Sequence, residues 1–205
     1  AIMFRRSRFT LLESGDWWFS DKPTKKGSRW DKMMRPRLCT WALLEERCSP
    51  PRHILAFNTH LEHQCGMEYD VLRTRAARML CQRATAWKQS VAVVITGDFN
   101  APRSAAVWEE LGACFTDALG GGTMVPATCH DGHGADMADG DIDGVLYDAA
   151  WLTSAKPAEV CRQQGCNGLF PSDHYPVVAH LRWVKKKSVA PIAGIAARWA
   201  AATDG

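Results

Sequence analysis

The stretch Val91-Ala92-Val93-Val94-Ile95-Thr96-Gly97-Asp98-Phe99-Asn100 is a run of β-branched and small apolar residues that ends in a glycine, an acid and an amide. Five apolar residues in a row, with no polar partner at alternate positions, mark a strand covered on both faces. Its last residues carry chemistry. In an extended chain Asp98 and Asn100, two apart, point one way while Phe99 points into the core. Upstream, residues 67–87 place Val71, Leu72, Met79 and Leu80 among Arg73, Arg75 and Arg78, which predicts a long amphipathic helix. Residues 38–44 and 54–61 predict two strands joined through Pro50-Pro51. Residues 9–12 and 17–19 are short apolar runs separated by Ser14-Gly15-Asp16, a hairpin signal. Downstream, Ser104 predicts the N-cap of a short helix ending near Gly112, and the glycine-rich segment 120–141 predicts a loop. Residues 142–146 and 177–184 predict two more strands. Too many strands follow one another without a helix for a doubly wound parallel sheet. The expected class is α+β, an α/β sandwich of two packed mixed sheets flanked by helices.

The whole chain agrees with one globular domain. Of its 205 residues 46% are hydrophobic and 23% charged, which excludes disordered and collagen-like architectures. No linker interrupts residues 1–184, and a basic, then Ala-rich tail follows over 185–205. The net charge of +3 makes no electrostatic case for nucleic acid, and the clusters Arg5-Arg6-Ser7-Arg8, Lys25-Lys26 and Lys185-Lys186-Lys187 read as solvated faces or tail. The eight cysteines contain no CxxC pair, and several lie in apolar runs such as Leu38-Cys39-Thr40-Trp41, so they read as reduced core residues and not as a zinc site. Trp17, Trp18, Trp30 and Trp41 likewise read as core. The first residues lack the apolar stretch of a signal peptide, and no apolar run reaches membrane-spanning length. A soluble, monomeric protein of cytoplasm or nucleus is therefore expected. The first residue is not Met.

Polar residues gather where predicted strands run out. Asn58-Thr59-His60, Gly97-Asp98-Phe99-Asn100, Asp141-Ile142-Asp143 and Ser172-Asp173-His174 do so in turn. Asp98 with Asn100 pairs an anionic ligand with a neutral amide donor. Phosphate-ester hydrolysis needs such a pair: a carboxylate to hold a cation or orient the attacking water, and a donor that touches a phosphoryl oxygen without repelling it. Asp173 and His174 add a second carboxylate and an imidazole able to carry a proton near neutral pH.

The ordered set NTHLEH (58–63), GDFNAP (97–102), IDGVL (142–146) and SDHYPV (172–177) resembles the endonuclease/exonuclease/phosphatase superfamily of magnesium-dependent phosphoesterases. That superfamily includes pancreatic-type deoxyribonucleases, abasic-site endonucleases, deadenylases, inositol polyphosphate phosphatases and neutral sphingomyelinases. FRRSRFTLLESGDWWFSDKP (4–23) and SRWDKMMRPRLCTWA (28–42) also resemble a set of its members, so the likeness spans residues 2–184. The resemblance implies that Asp98 orients or deprotonates the nucleophilic water and assists a Mg²⁺ or Mn²⁺ ion. Asn100 would bind the scissile phosphate and His60 would contact it. Asp143 would hold His174 in its tautomer, His174 would sit against the phosphate, and Asp173 would join the metal site. Arg37 has two readings, a substrate contact or a surface salt bridge. The resemblance further implies a phosphate-ester substrate, nucleic acid among the candidates.

Two departures qualify the likeness. Nothing before residue 60 matches the family's early Asn and metal-binding Glu, so the chain is expected to be an N-terminally truncated domain lacking the first strands, with poor affinity for a hard cation and little or no activity of its own. Gly144 stands where the family usually has a bulky residue. A competing motif, Asp139-Gly140-Asp141-Ile142-Asp143-Gly144, satisfies the first half of an EF-hand loop, but the twelfth position is Ala150. Asp139 and Asp141 then read as exposed loop acids, and His130 and His133 as solvated. Two functions from different classes remain: a divalent-metal-dependent phosphoesterase, or an inactive descendant that binds a phosphorylated ligand or a protein partner.

Overall fold

The computed structural model describes residues 1–120 and 125–184. In chain order the elements are β1 (Phe9–Trp18), β2 (Leu38–Glu46), β3 (Arg52–His60), α1 (Met67–Thr85), β4 (Ala92–Asp98), α2 (Ala106–Gly112), β5 (Thr116–Asp117), β6 (Asp143–Tyr147), β7 (Leu152–Val160) and β8 (Val177–Trp183). Six strands form one mixed sheet in the order β1-β2-β3-β4-β6-β5, and β7 and β8 form an antiparallel pair. Within the large sheet only β3 and β4 run parallel, joined by the α1 crossover. This is the α+β sandwich expected of the strand pattern.

β4 is covered on both sides, as its composition requires. Val93 and Ile95 enter the main core with Leu72, Ala77 and Leu80 of α1 and Val107 and Leu111 of α2. Ala92 and Val94, on the opposite face, meet Tyr147, Trp151, Leu152, Leu181 and Trp183 in a second cluster. The helices thus lie on one face of the large sheet and the β7–β8 pair lies on the other. Trp17, Trp30 and Trp41 are in the main core, as expected, whereas Trp18 is half-buried and outside it.

Several local readings change. Residues 9–18 are a single strand and not a hairpin, with an irregularity between Leu11 and Glu13. Gly15 sits mid-strand because the Trp41 indole lies over it. A Cβ there would come within 3.0 Å of the ring, so this glycine answers a packing demand rather than a turn. α1 buries Leu72, Ala76, Ala77, Leu80 and Ala84, whereas Val71 is exposed. Small alanines, invisible to a search for bulky apolar residues, let the helix lie close to the sheet. Ser104 caps nothing. Ala105 holds the N-cap position of α2 without a side-chain hydrogen bond. β7 escapes the sequence pattern because Pro157 and Lys156 interrupt it; the chain accommodates them with two irregularities on an edge strand. All eight cysteines are free, but Cys65 and Cys166 are exposed and not core residues. The 185–205 tail and part of the glycine-rich loop lie outside the described residues.

Candidate functional site

Register places the motif residues in one row. β3 ends at His60, which pairs with Asp98 at the end of β4, and Asp98 pairs in turn with Asp143 at the start of β6. Three adjacent strands therefore present an imidazole and two carboxylates at one rim of the sheet, beyond the carboxyl ends of the parallel pair, where ligands of α/β sheets commonly bind. Residues two positions back on each strand, Asn58, Thr96 and Val145, lie on the same face, and all six line a cleft of about 400 Å³ whose far wall includes Tyr175, Pro176 and Val177.

Close approach of these strands depends on small residues beside the acids. Gly97 and Gly144 face each other across β4 and β6. A Cβ on Gly97 would overlap the Thr59 carbonyl oxygen, and one on Gly144 would meet the Trp108 ring at 2.7 Å. The departure at Gly144 therefore has a local cause: the indole of Trp108 occupies the space a side chain would need.

His174 arrives from the segment before β8. Its Nδ1 lies 2.7 Å from Asp143 Oδ2. The same carboxylate oxygen accepts a 2.8 Å hydrogen bond from Thr128 Oγ1, and that hydroxyl in turn accepts from the Asp143 and Ile142 backbone amides at 2.9 and 3.1 Å. Ligand atoms of Asp98, Asp143 and His174 all lie within 4.8 Å of one another. Asp98 is engaged at both oxygens: Oδ1 accepts from the Asn100 amide at 2.8 Å, and Oδ2 lies 3.2 Å from His60 Nε2.

Electrostatics separate the roles of these groups. Burial, then the charge of Asp143, pushes the Asp98 carboxyl up to about 6. The hydrogen bond that His174 donates to Asp143 raises its imidazole to about 9, against the desolvation that opposes it. His60 is lowered by burial and by the neighbouring cations Arg37 and His174. At neutral pH the row therefore holds an ionised Asp98, a protonated His174 and a neutral His60.

The remaining expected residues are placed less simply. Asn100 does not continue the strand: its φ of 50° turns it out of the extended geometry, and its side-chain amide donates to the Leu61 carbonyl at 3.1 Å. Arg37 is not a surface residue. Its side chain is 12% exposed, with Nη2 2.7 Å from His63 Nδ1 and 3.9 Å from the buried Glu62 carboxylate. It lines a second hollow of about 260 Å³ that shares Asn58, Thr59 and His60 with the cleft. Asp173 is exposed beside His174 and stands apart from the Asp98 cluster. His130 is buried against Phe170 and Tyr175, contrary to the solvated reading, and Asp141 accepts the Arg103 amide at 3.1 Å.

Two residues that the motifs do not mark also shape the site. Thr128 is fully buried and fixes Asp143. Arg103, five residues beyond Asp98, ties that loop to the residues around Asp143. Thr128 lies in a glycine-rich loop with no periodic pattern, and Arg103 resembles any loop cation, so neither stands out in the linear sequence.

No family model matches the chain, and no curated protein does. Among solved structures, an endonuclease/exonuclease/phosphatase family protein from Bacteroides thetaiotaomicron matches at 20% identity and a TM-score of 0.74, over 87% of this chain and 67% of that one. A mannosyl-6-phosphatase from the same organism matches at 20% identity and 0.73, over 87% and 69%. D. rerio TDP2 complexed with a single-strand DNA product matches at 19% identity and 0.64, over 87% and 70%. The likeness is one of fold.

Proposed function

Starting from a chain with the fold of endonuclease/exonuclease/phosphatase family proteins, we propose that the row at the sheet rim hydrolyses phosphate esters with the help of a divalent cation, Mg²⁺ or Mn²⁺. The observation that carries this reading is the His174–Asp143 pair, 2.7 Å apart, set beside Asp98, with ligand atoms of all three within 4.8 Å of one another. Asp98, the less basic partner, orients the attacking water and takes its proton. His174 has Nδ1 committed to Asp143, so Nε2 is the atom that meets a phosphoryl oxygen and stabilises its developing charge. His60, neutral and exposed, contacts the same phosphate. Asn100 keeps one amide hydrogen beyond its bond to Leu61 and donates it to the scissile group. Arg37, whose partners are the His63 imidazole and, at 3.9 Å, the Glu62 carboxylate, contacts the substrate from the adjoining hollow.

The donor chemistry suits a hard cation only in part. Mg²⁺ binds through one or two carboxylates and completes its shell with waters and substrate oxygens. Asp98 supplies one such carboxylate and Asp143, whose contacts with His174 and Thr128 both fall on Oδ2, supplies a second; Asp173, exposed beside His174, is a further candidate outside the cluster. When bound, the cation would neutralise charge on the phosphate. Affinity in this chain is expected to be weak. The substrate class is a phosphate ester, nucleic acid included.

A second reading, binding of a phosphorylated ligand without turnover, is favoured by one feature: among the described residues no glutamate joins the acid cluster. A panel of single-stranded DNA, duplex DNA, RNA, an inositol phosphate, a sphingolipid and a nitrophenyl phosphate diester, assayed with added Mg²⁺ or Mn²⁺, separates the two. Slow hydrolysis, limited by weak cation binding and abolished by EDTA, would support the first reading. Binding of inorganic phosphate in the cleft with no turnover of any substrate would favour the second reading.

A further inference from the structure

Arg103 is buried more completely than any group in the row, with a side chain 3% exposed, yet it touches none of the four site residues' functional atoms. Its guanidinium is instead committed at every nitrogen. Nε donates to Asp117 Oδ2 at 2.9 Å, Nη2 donates to the Asp143 carbonyl at 2.7 Å, and Nη1 donates to the Asp141 carbonyl. Its backbone amide donates to Asp141 Oδ2 at 3.1 Å. The Trp108 ring lies under the guanidinium, 4.0 Å from Cζ, and Trp108 is pinned by a 2.7 Å bond to the Ala101 carbonyl. Gly144 leaves the space that this stack occupies: a Cβ there would come within 3.3 Å of Nη2.

These contacts join the loop that follows Asp98 to the backbone on both sides of the residue before Asp143. The joint has mechanical work to do. Asp98 and Asp143 are opposite one another in the β4–β6 register, at strand ends where the ladder stops and where two like charges repel. Just beyond the ladder, the Phe99 amide donates to the Ile142 carbonyl at 2.9 Å, a further backbone link between these segments. A planar fork with five donors can hold three acceptors at fixed angles, which the single ammonium of a lysine cannot do.

We infer that Arg103 is a positioning residue: it sets the spacing of Asp98 and Asp143, and so the seat of His174, by clamping the Asp98 loop to the backbone of residues 141–143. The inference rests on the hydrolytic reading for its effect on rate, but its geometric consequence stands independently. Loosening the clamp lets Asp143 drift from His174 Nδ1 while the main core, which lies between the sheet and the helices, persists.

Arg103→Lys and Arg103→Met test this, with Arg78→Ala, an exposed partner of Glu110, as the control. Thermal unfolding identifies the folded variants. In those, the downfield proton NMR signal of the His174 Nδ1–H bonded to Asp143 is expected to be lost or shifted, with kcat down by about 10²-fold and KM nearly unchanged, the penalty of a misplaced catalytic group. Arg78→Ala should retain both the signal and the rate. If neither Arg103 variant folds, Asp117→Asn, which weakens the Nε anchor, is read for the same signal. An unaltered His174 signal with kcat within about threefold of the parent would overturn the inference. Should the parent hydrolyse nothing, the hydrolytic reading fails, while the NMR signal still decides whether Arg103 positions Asp143.

Discussion

At the scale of single residues, Asp98 is held in a state that costs the fold. Its carboxyl is raised to about 6, so the stability associated with its proton is complete below the ordinary value of about 3.8 and is lost as pH rises through about 6. Asp98→Asn should therefore stabilise the protein by about 1–3 kcal/mol at pH 8 and have little effect at pH 4, measured by urea unfolding. His174 shows the other consequence of a raised value. Its pairing with Asp143 contributes fully below about 6.5 and is lost as pH climbs through about 9, so Asp143→Asn should cost more stability at pH 7 than at pH 10. The same substitution should bring the His174 titration, followed by NMR, back toward 6.5. His60, Asp98, Asp143 and His174 were legible in the sequence because each closes or opens a strand-like run within a short motif. Thr128 was not, since its role depends on a contact across fifteen residues of glycine-rich loop. The geometry of Asn100 was not legible, because β4 ends at Asp98 and its alternation does not reach two residues further, where φ is positive.

At the scale of elements, the site depends on how closely β3, β4 and β6 approach one another. Gly97 faces the Thr59 carbonyl and Gly144 the Trp108 ring, contacts that no side chain could share. Gly97→Ala should therefore push β4 from β3, at a cost of about 1–3 kcal/mol, the range for overpacking a closely packed core. Thermal unfolding measures that cost. Because the shift falls between His60 and Asp98, any phosphoesterase rate should drop with it. Strands buried on both faces, such as β4, announce themselves by composition. β1 was harder to read, since Gly15 serves the Trp41 indole while resembling a turn, and β7 was missed because its proline and charges obscure a strand that lies at an edge. In each case tertiary packing, not local preference, decides the conformation.

At the scale of the whole molecule, the two ends of the sandwich have different duties. The proposed chemistry lies where β3 and β4 end. At the opposite end Glu46, buried, receives Arg8, Arg52 and the Trp183 indole, each at 2.8 or 2.9 Å, and Arg52 also lies over that indole. This network fastens β8 to the large sheet. Trp183→Ala should destabilise the fold by about 2–4 kcal/mol, through lost packing and an altered seat for the Glu46 carboxylate, while any hydrolytic rate of the folded protein is retained. The sandwich itself was expected from the succession of strands, but the distribution of its layers, with both helices on one face, was not. That arrangement follows from which face of β4 meets α1, a choice that no strand's own composition encodes.

On the proposed function, Asp98 and His174 perform acid–base and electrostatic work on a phosphate ester. The most direct measurement is kcat/KM for the best substrate of the panel, compared among the parent, Asp98→Ala and His174→Ala under one metal concentration. Each variant should fall by at least about 10², the usual contribution of a positioned acid–base group. Undiminished turnover in both would contradict that function.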